Sequence, residues 1–475
     1  MPGSTHLTSN FTGTGSSTGD KVTYSVWIKR MDPEGDARST VISADGGDAN
    51  NYMKLRFADD DKFHIYGVHS SSSNFNVYAD KQCRDTNAWY HLVWQIDTTH
   101  ATESERVKVW INGESISISG TMPSQNDPIY TLKMDDMEIG RNAQADNEQF
   151  DGIMSHFHCC HGYLYAPTVF GSTDATTGEW KINAGPSVSY GTKGWFIFKD
   201  NASVTDQSGN GNSFTVGAGS LEASQDNPSN VFSNMMKIHD YANANSDLGS
   251  SNNFVWPMAN SNFNFAVSTM GMPQGNGKFY IEAKYVEYDN IEVAVGVVNM
   301  DYVPELFYEN RNIVTAANQT YIGRAIVNSD GHSIIAGTAN SSYGLGSWSN
   351  GDIISIACDM ENGAFYFRKN GAAWANSGDP TSGASKTGAI DLSATSQWTT
   401  SSHWGVWCGC GANNNDRFSF NFGNGYFPSA SGSGGSQDYA GATISSAGTN
   451  ASNFGIFEYD VPTGYTALCT KGLNL

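Results

Sequence analysis

Between Ile353 and Trp374 apolar side chains fall on every second residue. Ile354, Ile356, Cys358 and Met360 come first, then Phe365 and Phe367 after the break at Glu361-Asn362-Gly363. This is the period of a strand with one buried face. Asn370-Gly371 breaks the alternation again, and Asn-Gly tolerates the positive φ angles of a type I′ turn. The stretch therefore predicts a three-stranded meander. The same alternation recurs upstream in Val22, Tyr24, Val26 and Ile28, in Phe63 and Ile65, and in Tyr90, Leu92, Trp94 and Ile96. Val107, Val109 and Ile111 lead through Asn112-Gly113 to Ile116 and Ile118, a predicted hairpin. A second series starts at Phe263, Phe265 and Val267 and ends near Phe418, Phe420 and Phe422. No stretch holds a helical period for long, so the expected class is all-β, built of antiparallel strands.

Length and polarity divide the pattern. A chain of 475 residues is too long for one sandwich and suits two. From Ser224 to Asn253 the chain turns polar, with SQDNPSN followed by NANSDLGSSNN. We therefore expect two jelly-roll-type β-sandwiches in tandem, over residues 1–222 and 255–475, joined by a linker at 223–254. Val231 to Ile238, inside that linker, reads as a short helix or strand.

Charge excludes one class of partner. Twenty-six basic residues face 47 acidic ones, a net charge of −21, which repels a phosphate backbone and argues against nucleic-acid binding. Seven cysteines in a chain this long do not make a disulfide framework. No basic-then-apolar signal segment opens the sequence and no apolar run reaches membrane length. The expectation is a protein made in a reducing cytosol, with no membrane insertion.

Two resemblances sharpen this picture. Gly351-Asp352, the aliphatic strand, Asp359-x-x-Asn362-Gly363, the aromatic strand and Asn370-Gly371 together resemble the core of a SPRY domain. Lys278-Phe-Tyr-Ile-Glu282 and Asn421-Phe-Gly423 extend that likeness over roughly residues 255–475. In the first half, Tyr24-Ser-Val-Trp27, Trp89-Tyr-His-Leu-Val93, Val109-Trp-Ile-Asn-Gly113, Ile139-Gly-Arg141 and Phe150-Asp-Gly152 occur in order. They resemble a laminin-G-like jelly roll of the concanavalin A type. Asp206-Gln-Ser-Gly-Asn-Gly-Asn212 resembles a segment that opens many such domains but here closes one, as in a circular permutation. The pairing of the two modules resembles virion proteins of tailed bacteriophages. It implies a non-enzymatic protein on the virion surface (a knob, head decoration or fibre tip) that binds host glycans or neighbouring virion subunits and forms a homo-oligomer. The rivals are a glycan-cleaving jelly-roll hydrolase and a purely structural virion component.

Candidate chemistry is sparse. Trp348, Trp374, Trp398 and Trp404 cluster near expected loops, where exposed rings stack on sugars or anchor a protein contact. Burial in the sandwich is the commoner fate of each. Asp45 and Asp48 flank one loop and Asp59 and Asp61 another. Carboxylates so placed suit calcium, the one cofactor the pattern leaves open, although adjacent aspartates more often mark a solvated turn. His156, His158 and Cys160 share a strand face by spacing, but no second ligand pair accompanies them, so no metal is expected there. Glu287, Asp289 and Glu292 have the spacing of jelly-roll glycan hydrolases but fall at an expected hairpin turn, which scatters carboxylates. No catalytic residue is assigned.

Overall fold

The structure is a computed structural model. It describes residues 5–9, 11, 19–31, 38–133, 136–237, 249–251, 254–256, 264–287, 293–302, 324–328, 333–335, 338–340, 343–410, 417–427, 430–431, 438–439, 442–444 and 454–473. The fold is all-β, with short α-helices only at Ser396–Thr400 and Thr470–Leu473 among the described residues. The chain divides into two compact units, Met1–Ser229 and Asn230–Leu475.

The first unit pairs a large sheet with a smaller one. Its strands are β1 (His6–Ser9), β2 (Lys21–Arg30), β3 (Ser39–Asp48), β4 (Asn51–Phe57), β5 (Lys62–His69), β6 (Ser72–Gln82), β7 (Tyr90–Asp97), β8 (Val107–Ile111), β9 (Glu114–Ile116), β10 (Ile118–Thr121), β11 (Met137–Ile139), β12 (Gly152–His161), β13 (Gly171–Thr173), β14 (Trp180–Ile182), β15 (Trp195–Ile197) and β16 (Phe214–Ala218). The large sheet runs β10-β6-β5-β4-β3-β11-β1-β16 and the smaller runs β15-β12-β2-β7-β8-β9. Alternation sends Met53, Leu55, Phe63, Ile65, Phe75 and Val77 from the first sheet, and Tyr24, Trp94, Ile111, Phe157 and Trp195 from the second, into one core. Asn112 and Gly113 take φ of 51° and 77° and close the β8–β9 hairpin as the sequence predicts.

The end of this unit returns to its beginning. β16 pairs antiparallel with β1, and β15 pairs with β12. Between them the Asp206 carboxylate accepts from the backbone N–H groups of Phe196, Ser208 and Asn212. The Asn210 and Asn212 side chains donate to carbonyls at 191, 192 and 194. This is the pairing that a chain closing on its own first strand requires. The resembling Asp-to-Asn segment thus serves here as a self-satisfied structural turn.

Residues 223–229, expected as linker, belong to the first unit. Asp226 accepts from Lys29 Nζ at 2.6 Å and from Trp89 Nε1 at 2.9 Å, with the Lys29 and Asp226 side chains fully buried. A polar residue that neutralises a buried ammonium looks, in sequence, like a solvated one. Removing one partner of a buried ion pair costs about 3–5 kcal/mol, so this contact fixes the segment.

The second unit is also a pair of sheets. Its strands are β17 (Met235–Lys237), β18 (Gly249–Ser251), β19 (Phe254–Trp256), β20 (Asn264–Ser268), β21 (Met272–Pro273), β22 (Lys278–Glu287), β23 (Val293–Asn299), β24 (Arg324–Asn328), β25 (Ser333–Ile335), β26 (Thr338–Asn340), β27 (Ile353–Asp359), β28 (Ala364–Lys369), β29 (Ile390–Asp391), β30 (His403–Cys410) and β31 (Arg417–Asn421). One sheet runs β17-β20-β30-β23-β24-β25-β26 and the other β18-β19-β31-β22-β27-β28-β29. Val295, Trp404 and Val406 from the first meet Ile281, Ile356, Phe365 and Phe418 from the second in a shared core. The segment expected as linker again contributes: β17 pairs with β20, and Phe232 is fully buried. The predicted meander is only partly formed. Asn370 and Gly371 do take φ of 50° and 68°, but no strand follows directly. A Cβ on Gly371 would lie 2.4 Å from the Tyr459 ring, so the turn is fitted against a neighbouring segment. The third strand, β29, joins β28 only after a long excursion.

Candidate ligand-binding face

Strand alternation that buries one face of β4–β6 necessarily builds another. With Met53, Leu55 and Phe57 in the core, Tyr52, Lys54 and Arg56 point outward. Register then fixes their neighbours. Lys54 lies opposite Tyr66 and Arg56 opposite His64, while His64 faces Tyr78 and Tyr66 faces Asn76 on the next strand. On the other side Ser43 stands opposite Lys54 and Thr40 opposite Arg56. Directly opposed residues share a face and touch, so four strands carry one grid of aromatic and polar side chains.

The charged groups lie low in this grid. Lys54 and Arg56 are 6% and 5% exposed, and both donate to Glu148 Oε1, at 3.1 and 2.6 Å. Glu148 Oε2 accepts from Thr40 Oγ1, and its carbonyl accepts from the Thr40 N–H. Arg56 Nε donates to His64 Nδ1 at 3.2 Å, which makes that nitrogen an acceptor. His64 Nε2–H therefore donates to Asn76 Oδ1 at 2.9 Å and the ring is neutral. Burial, with the nearby Arg56 and Lys54 charges, pushes the His64 pKa down to about 4. Burial opposes ionisation of Glu148, but Arg56 and Lys54 outweigh it and hold the carboxyl below its usual range. Burial and then Arg56 lower the pKa of Lys54.

The aromatic rings lie higher. Tyr52, Tyr66 and Tyr78 are half-buried. Tyr52 and Tyr66 are 5.9 Å apart, with Lys54 Nζ 5.8 and 5.7 Å from their centroids. Tyr78 stacks on His64 at 4.0 Å with 4° between the planes. Partly open ring faces are thus held by a buried set of donors and acceptors. Such a surface suits a ligand that has apolar C–H faces and many hydroxyls.

The residues singled out from sequence lie elsewhere or are already occupied. Trp348, Trp398 and Trp404 are 5%, 6% and 0% exposed and belong to the core of the second unit, so they have no ring face to offer. Trp374 is half-buried, with the Arg368 guanidinium 4.7 Å over its ring. Asp59 forms a two-pronged contact with Arg38 at 2.8 and 3.2 Å. Asp61 is buried between Arg30 Nη1 at 3.0 Å and Arg84 Nε at 2.8 Å. Asp45 stands opposite Tyr52 at one end of β4, whereas Asp59 and Asp61 follow its other end. The two loops are separate candidates for calcium: in the second, Asp59 and Asp61 are spent on arginines, and in the first the Asp48 side chain lies outside the described residues.

The His156–Cys160 spacing does not give a common face. β12 carries a bulge between Ser155 and His158, with His156 at φ 48°. His156 Nδ1 lies 2.8 Å from Ser155 Oγ, and His158 Nδ1 lies 2.9 Å from the Tyr190 hydroxyl. Cys160 packs with Val93 and Phe170, where burial pushes its thiol up to about 12. No group of three metal-ligating side chains occurs among the described residues. Asp289 and Glu292 lie outside the described residues; Glu287 ends β22.

Comparison with known proteins agrees with this architecture. The family described as the concanavalin A-like lectin/glucanases superfamily, of the laminin G type, matches residues 3–169. No curated protein sequence matches the chain. Among solved structures, mouse laminin alpha1 chain domains LG4-5 are 8% identical over 94% of this chain and 83% of that one, with a TM-score of 0.27. The SPRY domain of human HERC1 is 13% identical over 35% of this chain and 87% of its own, with a TM-score of 0.26. The sialidase CBM40 of Ruminococcus gnavus, bound to α2,3 sialyllactose, is 14% identical over 29% and 72%, with a TM-score of 0.23. At TM-scores of 0.23 to 0.27 these structures carry no argument, and the fold of the first unit rests on the family match to residues 3–169. The first unit has a lectin/glucanase-like fold, and the β3–β6 face is its candidate site.

Proposed function

We propose that the protein binds glycans without cleaving them, on the outward face of β3–β6. One observation carries this reading. The half-open rings of Tyr52, Tyr66 and Tyr78 stand over a fixed polar layer of Lys54, Arg56, His64 and Asn76, on strands and not on loops. The match to a lectin-like family over the same residues supports it. Tyr66 sits at the centre, flanked in register by Lys54 and Asn76. Tyr66→Ala is therefore expected to weaken binding to whichever glycan an array identifies by about tenfold, equivalent to about 1.4 kcal/mol. Unchanged binding overturns the site, and release of reducing ends from the bound glycan overturns the non-enzymatic reading.

We place this activity on the virion of a tailed bacteriophage, made in the host cytoplasm and docked on other virion subunits. The order of laminin-G-like and SPRY-like modules supports that setting. Strand β16 gives the contact some substance: it ends the large sheet among the described residues and exposes Thr215, Val216, Gly217 and Ala218 without a charge. Such an edge is a template for pairing with another chain, including a second copy. Labelling of purified particles with an antibody to this chain tests the setting, and particles that lack the label refute it.

A further inference from the structure

We infer that the β3–β6 face takes a sugar bearing a single negative charge, a carboxylate or a sulfate ester, seated beside Lys54 and Arg56 with its ring over Tyr66. The inference rests on the glycan-binding reading above. Its own basis is a count of charges. Lys54 and Arg56 are both nearly fully buried, and they share one oxygen of one carboxylate, Glu148. His64 contributes no charge, because its Nδ1 accepts the Arg56 Nε–H. Arg38, the next cation, is already matched by both oxygens of Asp59. Asp45 shares this face but stands at its margin opposite Tyr52, Lys133 and Asp136 beside it form their own pair, and Glu138, opposite Ser43, is held by Arg141, which also meets the exposed Asp146. The two cations in the middle of the grid therefore have one carboxylate in contact between them. A buried charge is costly unless paired, and the missing partner is a monoanion.

The open donors agree with that count. Arg56 uses Nη1 on Glu148 and Nε on His64, so Nη2 has no partner among the described residues. Lys54 spends one of its three N–H bonds, on Glu148. Charge-assisted bonds from these two groups are the strong kind. A phosphate monoester, at about −1.5 to −2, overshoots the one charge by which these two cations exceed Glu148. The net charge of −21 opposes any anion, but that field is screened over about 10 Å at 0.1 M salt, whereas the two cations act at contact. The local term wins.

Matched pairs on a glycan array, applied to the full chain, test the inference: oligogalacturonate against oligogalactose, and sulfated against desulfated galactan. We expect the charged member of at least one pair to bind ten times or more tightly, with an affinity that falls as salt rises. The pair that responds tells carboxylate from sulfate. Lys54→Met should abolish the preference and leave weak binding that still depends on Tyr66. Lys54→Arg, which keeps the charge, should retain it and guards against a mere folding defect. Equal binding of charged and neutral members, lost in Tyr66→Ala, overturns the charge inference and leaves the glycan site standing. Binding that ignores Tyr66→Ala, or no binding to any array member, overturns both.

Discussion

Asp61 shows how far a residue's role departs from its type. In sequence, Asp59-Asp60-Asp61 reads as three carboxylates in a turn, open to calcium. In the structure Asp61 takes φ 63° after a backbone bond from its own N–H to Ala58, and its carboxylate turns inward between Arg30 and Arg84. Arg30 in turn donates to the Cys83 carbonyl and lies 4.2 Å over the Phe57 ring. The carboxylate is the charge partner of a buried guanidinium. Asp61→Ala is accordingly expected to destabilise the first unit by about 3–5 kcal/mol, the cost of leaving a buried charge alone. Millimolar calcium, or its removal by chelator, should leave the unfolding temperature of the native chain unchanged. Stabilisation by calcium that vanishes in Asp61→Ala would restore the metal site. What hid this from sequence is that Arg30 ends β2 and Arg84 follows β6, and nothing local announces the pairing.

At the scale of elements, the alternation was legible and its outward half was not. Every second residue of β4 is apolar, so Met53, Leu55 and Phe57 declare themselves as core. Tyr52, Lys54 and Arg56 read as an ordinary polar face until β5 and β6 bring His64, Tyr66, Asn76 and Tyr78 into register. The signal was present, as tyrosine recurring at outward positions of three successive strands, but single-strand patterns do not weigh it. A second element-scale case is the return of the chain near its end. Glu282 on β22 is buried, and its oxygens accept from the backbone N–H groups of Glu458 and Tyr459, both at 2.9 Å. Asn421 Nδ2 and the Tyr280 hydroxyl complete the set. The ionised carboxylate, the form present above about pH 7, can accept all four bonds, whereas the amide of glutamine presents N–H groups on one side. Glu282→Gln should thus free one of the two backbone amides. Hydrogen exchange at Glu458 or Tyr459 should quicken by roughly tenfold, the loss of one bond worth about 1–2 kcal/mol, with β27 and β28 unaffected. Equal protection in variant and native chain would show that the segment is held by other contacts.

For the whole molecule, the two units carry ionisable groups that pull stability in opposite directions with pH. In the first, burial pushes His91 down to about 3 and His64 to about 4, and holds His158 well below its usual value. The His91 case is clear in geometry. Trp180 Nε1–H donates to its Nδ1 at 2.9 Å, so Nε2–H must serve Ser25 Oγ at 2.8 Å, and a proton on Nδ1 would break the first bond. An unfolded histidine titrates near 6.5. Below that value the unfolded chain binds protons the native unit refuses, so stability is present above about pH 6.5 and is lost as pH falls toward 4. In the second unit the sign reverses. Burial, only partly offset by its hydrogen bonds, raises Glu282 to about 7. There the native state holds a proton that the unfolded chain has released, so the contribution is full below about 4.5 and is lost as pH rises to 7. Calorimetry of the full chain between pH 7.5 and pH 5 should therefore show one unfolding transition moving down and the other moving up or holding. His91→Gln is expected to reduce the slope of the first without abolishing it, because His64 and His158 still contribute, and Glu282→Gln to flatten only the second. Two transitions that fall in parallel with acid, or a His91→Gln chain with the native slope in both, would show that these buried groups do not set the response.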